Sequence, residues 1–212
     1  MSRLKLKKEI NQLDTTLNLK FTNINQMTTE LDKYKLNLKM ATVYYIPNFI
    51  PKDQADIYMQ SILKSVKFEK KKHEGRETAL HGDAKQYRYA FNDAIPEKWT
   101  DELLAIKSQL ETNICPDYNY DVCLLNYYPN GKTGFKFHSD KEELGNEVPI
   151  ASISFGAKRK FYFKQIASGK DNHSIDLEHG SLLIMGPGTH ENYIHSLPTD
   201  NKIKEPRSKS IE

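Results

Sequence analysis

Hydrophobic and polar positions along the chain change period twice. From Ile10 the apolar residues are Ile10, Leu13, Leu17, Ile24, Met27, Leu31, Tyr34 and Leu38, an a/d heptad walk with one break at Lys20. This predicts a helical, heptad-like extension over residues 1–42. At Val43 the style changes. "TVYYIPNFI" reads as a short strand stopped by Pro47 and Pro51. "KDQADIYMQSILKSV" then puts Ala55, Tyr58, Met59, Ile62, Leu63 and Val66 on one helical face, and "EKWTDELLAIKSQLET" does the same with Trp99, Leu103, Ile106 and Leu110. A basic polar stretch, "KFEKKKHEGRETALHGDAKQYRYAF", separates the two helices and reads as a loop. From Tyr118 the chain is β-like. "YDVCLLNYY", "IASISF", "RKFYFKQ", "IDLEHGSLLIM" and "NYIHSLP" are short runs rich in β-branched and aromatic residues, divided by Gly, Asn and Pro turns. Two helices followed by many short strands predict an α+β fold with a jelly-roll core and supporting helices on its N-terminal side.

Composition adds bounds. The 212 residues suffice for one ordinary domain, here 43–212, plus the 1–42 appendage. Hydrophobic content is 38% and mean hydropathy is −0.70, which fits a well-solvated surface. No apolar run approaches the ~20 residues of a membrane span. The opening "MSRLKLKKEINQ" lacks an apolar h-region, so the expectation is an intracellular protein that is not secreted. Cys115 and Cys123, with seven residues between them, make neither a CxxC pair nor a disulfide framework, and read as buried thiols. The net charge of +3 is unevenly spread. Residues 1–42 hold eight basic and four acidic residues, hence +4. That segment reads either as a helix or tail lying on the domain, or as a coiled-coil arm for self-association or nucleic-acid contact.

Candidate chemistry starts with His138 and Asp140 in "FHSDKEE" and His195 in "YIHSLP". In an extended segment an H-x-D pair points to one side. The 54 residues between Asp140 and His195 can supply the strands that bring the second histidine back. Two imidazoles and a carboxylate form the facial set that holds iron(II) with positions left open. On spacing alone such a pair is more often a surface hydrogen bond or salt bridge than a ligand set. His179, at a turn before a strand, reads as structural, and His73 as a solvated loop residue.

The surroundings of the trio carry more. "LLNYYPNG", "FHSDKEE", "PIASISFGAKRKFYF", "LEHGSLLIM" and "IHSLP…EPR" occur in that order. Together they resemble the AlkB-type iron(II)/2-oxoglutarate dioxygenases, in the branch that repairs alkylated nucleic acid bases, over about Val43 to Arg207. The resemblance implies a double-stranded β-helix. It implies that His138, Asp140 and His195 bind iron(II), and that Asn126, Tyr128 and Arg207 hold 2-oxoglutarate, with O₂ as the second cosubstrate. A guanidinium fork suits a carboxylate. The chain departs from the family's closing R-x-N-x-T-x-R strand. Lys209 takes the Asn position, Ile211 the Thr position, and the second arginine has no counterpart. The expectation is a sheet without its final strand, an exposed edge and half a cosubstrate clamp.

On the substrate side, "HGDAKQYRYAFND" resembles the family's lid, so Tyr89 and Phe91 are either the aromatics that stack a flipped base or ordinary core rings. Lys70, Lys71, Lys72 and Arg76 belong to a basic cluster that reads either as a solvated face or as a phosphate track. The implied reaction is oxidative demethylation of 1-methyladenine- or 3-methylcytosine-type bases in DNA or RNA, releasing formaldehyde, succinate and CO₂. The alternatives are an oxygenase for RNA or protein, and a catalytically impaired nucleic-acid-binding protein on the same fold.

Overall fold

The structure is a computed structural model and describes residues 31–70, 75–89, 92–140, 149–169 and 172–210. Helix α1, Lys52–Ser65, starts behind Pro51 and buries Ala55, Tyr58 and Ile62 completely. Leu63, expected on that face, is among the exposed apolar residues. Helix α2, Asp101–Asn113, is capped by Thr100, whose hydroxyl accepts from the Leu103 N–H at 3.3 Å, and it buries Leu103, Ile106 and Leu110. A buried hydrogen bond from Ser61 Oγ to Glu102 Oε1 ties the two helices together.

Both helices cover one face of a seven-stranded antiparallel sheet. Its strands are β1 (Val43–Ile46), β2 (Glu69–Lys70), β3 (Glu77–Gly82), β6 (Val122–Tyr128), β8 (Ile150–Gly156), β11 (Ser181–Met185) and β13 (Arg207–Ser210), in the order β1-β11-β8-β13-β6-β3-β2. Behind it lies a four-stranded antiparallel sheet, β10 (Asn172–Leu177), β9 (Arg159–Gln165), β12 (Tyr193–Leu197) and β7 (Phe135–His138), in that order. A hairpin of β4 (Tyr87–Tyr89) and β5 (Asn92–Ala94) stands apart, and a one-turn helix α3 (Thr189–Asn192) leads into β12. Alternation sorts the side chains of each strand. In β8, Ala151, Ile153 and Phe155 join the helix-side core, and Ile150 joins the core between the sheets. Ser152 and Ser154 share the face of Ile150, so buried hydroxyls line the gap between the sheets.

Three expectations are corrected. The stretch read as a loop between the helices contains β2, β3 and β4. Residues 78–81 of β3 are all buried, so the strand lacks the in/out alternation that marks a half-exposed one. "IDLEHGSLLIM" is two strands, β10 and β11, broken by Gly180 at φ +75, where a Cβ would lie 2.1 Å from Ile50 O. The third concerns the final strand, which is present. β13 is hydrogen-bonded on both sides, to β6 and to β8, in the middle of the large sheet, so no edge opens there. Four residues flanked by two strands suffice, because each ladder supplies backbone partners that the short sequence cannot advertise.

Residues 1–30, most of the heptad walk, lie outside the described residues. Leu31 and Asp32 are helical, and the positions after Lys33 leave the helix. Lys35 bridges to Tyr44, Leu36 N–H donates to Val43 O, and Leu38 is buried in the core between the sheets. Among the described residues no helix is long and apolar enough to cross a membrane. Cys115 and Cys123 are both buried, and burial pushes the Cys115 thiol pKa up.

Candidate metal centre and cosubstrate pocket

Strand register brings the histidines together. His138 ends β7 and sits directly opposite His195 of β12, with ring centroids 4.3 Å apart. Asp140 follows two residues after the strand. Its Oδ1 lies 3.3 Å from His138 Nε2 and its Oδ2 lies 3.3 Å from His195 Nε2. One ligand atom from each of the three falls within 4.8 Å of the others. The Nδ1 of His138 stands 2.8 Å from Lys136 O. A carbonyl only accepts, so Nδ1 carries a proton, and in the neutral ring that makes Nε2, the nitrogen facing Asp140, the one with a lone pair. A lone pair facing a carboxylate oxygen is repulsive until a cation lies between them. Ligand atoms about 3 Å apart suit a cation held at roughly 2.1 Å by nitrogen and oxygen. The donor set therefore fits a divalent metal. Rings brace it: Phe161 stacks on His195 at 5.3 Å and 24°, and Phe135 meets His138 edge-on at 4.1 Å.

A second constellation lies in the large sheet. Arg207 of β13 pairs in register with Tyr128 of β6 and Gly156 of β8. Its guanidinium is 1% exposed. Nη2 donates to Ser154 Oγ at 2.6 Å, and Nη1 to Leu177 O at 3.3 Å and Ala157 O at 3.4 Å. Its buried Nε has no hydrogen-bond partner, and no carboxylate pairs with it among the described residues. Burial pushes its pKa down to about 10, with Tyr128 opposing and nearby Arg159 assisting. At neutral pH it remains a cation, and a desolvated cation without an acidic partner is a receptor for an anion. Asn126 and Tyr128, both buried, occupy the same face of β6. The polar set fits a dicarboxylate reaching in from the metal.

Comparison with known proteins agrees with this geometry. The family model described as the 2OG-Fe(II) oxygenase superfamily matches residues 42–211. The chain belongs to that superfamily. As the family description states, its members use iron(II) and 2-oxoglutarate, with O₂ as the oxidant. The chain is 31% identical over 186 residues to the alpha-ketoglutarate-dependent dioxygenase alkB homolog 3 of Bos taurus, covering 79% of this chain and 64% of that protein. It is 34% identical over 141 residues to the DNA oxidative demethylase ALKBH2 of Homo sapiens, covering 62% of this chain and 53% of that one. The chain thus spans between about half and two thirds of these relatives. The solved structure of OsALKBH1 superposes with a TM-score of 0.60 at 17% identity, over 80% of this chain and 96% of that one, which identifies the double-stranded β-helix fold.

Within this superfamily fold the other predicted positions separate. Arg76 leaves the basic surface cluster: it is buried, donates from Nη1 to Asn126 Oδ1 at 2.8 Å, and lies 4.0 Å above the Phe135 ring. It is not part of a solvent-facing phosphate track. Lys70 is exposed, with Glu77 at 3.7 Å. Tyr89 ends β4. Phe91, Lys71, Lys72 and His73 lie outside the described residues. His179 is structural, as expected: Nδ1 accepts from the Gly156 N–H at 2.9 Å, and Nε2 donates to Asp56 Oδ1 at 3.0 Å. The sequence reading missed Ser154, Phe161 and Arg159. Arg159 is buried under the Tyr128 ring and donates to the carbonyls of Thr133 and Pro198 at 2.9 and 2.6 Å. Each was signalled by a period of two. Ser152 and Ser154 alternate with Ile and Phe, and Arg159 runs in phase with Phe161 and Phe163.

Proposed function

We propose that this chain is an iron(II)/2-oxoglutarate-dependent dioxygenase that removes N-linked methyl groups from nucleic acid bases of the 1-methyladenine and 3-methylcytosine type. The observation that carries it is the cross-strand His138–Asp140–His195 cluster facing a gap that ends on buried Arg207. His138 and His195 bind the metal through Nε2, and Asp140 through its carboxylate. The Lys136 carbonyl keeps the His138 proton on Nδ1, so that Nε2 stays a ligand. Arg207 and Ser154 hold the far carboxylate of 2-oxoglutarate, with Asn126 and Tyr128 beside them. When bound, iron(II) supplies the oxidation, in which 2-oxoglutarate and O₂ yield succinate, CO₂ and a hydroxylated methyl group that leaves as formaldehyde. Phe135 and Phe161 pack against the rings of His138 and His195 and hold them in place.

Nucleic acid as the substrate draws support from the relatives named as a DNA oxidative demethylase and an alkB homolog. Tyr89 and Phe91 are the proposed base-stacking aromatics, and Lys70, Lys71 and Lys72 the proposed phosphate contacts. Of the earlier alternatives, an impaired binding module drew on a missing last strand and a missing second arginine; β13 supplies the strand, and the second arginine still has no counterpart in the sequence. The test supplies iron(II), ascorbate, 2-oxoglutarate and 1-methyladenine in single-stranded DNA, double-stranded DNA or RNA. Formaldehyde and restored adenine are expected. Tight nucleic-acid binding without turnover would favour the binding module. Neutralising Lys70, Lys71 and Lys72 together is expected to weaken DNA binding and to flatten its salt dependence by up to about three units of log–log slope. Affinity within twofold of wild type at every salt concentration would remove these lysines from the interface.

A further inference from the structure

We propose that Arg76 is a positioning residue of the cosubstrate pocket, holding Asn126 in the one amide orientation that offers an NH₂ to a carboxylate. The proposal rests on the 2-oxoglutarate reading above and deepens it. An asparagine amide has an accepting end and a donating end. A carboxylate at the wrong end meets a lone pair instead of a hydrogen. A guanidinium has donors only. The Arg76 Nη1 at 2.8 Å from the Asn126 side chain therefore determines which end faces it: Oδ1 accepts from Arg76, and Nδ2 with its two hydrogens is turned away.

The surrounding backbone makes this arrangement specific. Gly75, at φ +64, turns the chain just before β3, and a Cβ there would lie 2.7 Å from Thr133 Cγ2. β3 then runs antiparallel to β6 with Thr78 opposite Asn126, so Arg76 enters beside the end of β6. Along β6, Asn126 shares its face with Tyr128, whose register partner is Arg207. Donors from Asn126 and Arg207 thus face the same gap. Arg76 also touches the metal end. Its guanidinium lies 4.0 Å above the Phe135 ring, which packs edge-on against His138. One buried cation braces a proposed metal ligand through an aromatic ring and sets a proposed cosubstrate ligand through a hydrogen bond.

The test is a double-mutant cycle read by 2-oxoglutarate titration calorimetry on the full chain loaded with manganese(II), a redox-quiet substitute for iron. Arg76→Met keeps an apolar stem over Phe135 and removes the donors. It is expected to weaken 2-oxoglutarate binding by about tenfold, the loss of one buried charge-assisted hydrogen bond. Arg76→Lys, which can still donate, is expected to recover most of this. In an Asn126→Ala background, Arg76→Met is expected to add less than about twofold, because the group it positions is gone. A merely structural arginine would lower thermal stability and weaken binding equally in both backgrounds, and that additivity would overturn the proposal. If Arg76→Met does not fold, the same cycle is read with Arg76→Leu, which also removes the donors, and a loss of equal size in both backgrounds is again the overturning result. Wild-type protein that binds manganese(II) but no 2-oxoglutarate would sink the cosubstrate reading, and this proposal with it. Tight wild-type binding, weakened by Asn126→Ala but unchanged within twofold by every Arg76 variant, would sink this proposal alone.

Discussion

The two ends of the pocket are built on opposite principles. The proposed metal end sits on the rim of the small sheet. Its first histidine closes an edge strand, with a side chain 32% exposed, and its carboxylate follows just past the strand. The proposed cosubstrate end sits in the middle of the large sheet, on a strand hydrogen-bonded along both sides, with Arg207 almost wholly buried. At the rim three ligand atoms converge on one point, and reactants need access to it. At the buried end the Arg207 cation sits in a low-dielectric wall, where a carboxylate bonds strongly and water competes poorly. On the proposed reading, the difference makes reactivity and selectivity separable. One belongs to strand ends and the other to strand interiors.

Removing the rim carboxylate has the largest expected effect. Asp140→Ala leaves two imidazoles facing each other across an apolar side chain. Loss of a neighbour that only orients a ligand costs about 10–100-fold in metal affinity or activity. Loss of a ligand itself is therefore expected to exceed about a hundredfold in metal affinity and to abolish formaldehyde release. Metal titration and product assay check this. Thermal stability is expected to hold, since the carboxylate stands past the strand. Retained turnover would break the assignment of the rim as the metal end.

Arg207→Met attacks the other end. The expected result is a loss of about thirtyfold or more in 2-oxoglutarate affinity, the value of one or two charge-assisted hydrogen bonds. Manganese(II) affinity measured without 2-oxoglutarate is expected to stay within about twofold. An equal fall in both would show that the ends are not independent. The same residue carries a pH signature. Its folded pKa of about 10 lies below the ordinary arginine value because burial disfavours the charge. Between those values the unfolded chain keeps a proton that the folded chain has released, so stability rises with pH through that window, by up to ~1.4 kcal/mol per pH unit. Below about pH 10 the full penalty of the buried charge stands. Urea unfolding from pH 8 to 11 is expected to show wild type gaining on Arg207→Met only towards the alkaline end. Saturating 2-oxoglutarate, whose carboxylate favours the charged form, is expected to flatten that gain.

Legibility follows the same division. His138, Asp140 and His195 were readable because two lie together and the third ends a β-like run, and register does the rest. Arg207 was readable from the "EPR" motif, yet the strand it opens was not, since four residues between two ladders carry little signal of their own. Strand β3 was hidden for a related reason: with both faces buried it shows no alternation, and the charges before it look like loop. Arg76 was misplaced because a Lys/Arg run looks uniform in sequence. Only the pairing of β3 with β6 reveals which of its members turns inward. Ser154 and Arg159 were missed because a polar residue in phase with apolar ones was not taken as pocket lining.

The smallest effect sharpens the comparison most. Phe161 stacks nearly parallel on His195, 5.3 Å away, from the neighbouring strand β9. Phe161→Leu keeps an apolar side chain in the core between the sheets and removes the flat surface. A ring contact of this kind is worth about 0.5–1.5 kcal/mol beyond burial. Metal affinity, measured by chelator competition, is therefore expected to fall about three- to tenfold. Arg207 is anchored by Ser154 and two carbonyls, none of them on Phe161, so 2-oxoglutarate binding to protein saturated with metal is expected to stay within about twofold. A fall confined to the metal would mean that the rim, open on one side, depends on aromatic bracing for the rigidity that the buried end draws from its ladders. No fall at all would mean that register with His138 suffices to aim His195, and that the rim is as firmly held as the interior.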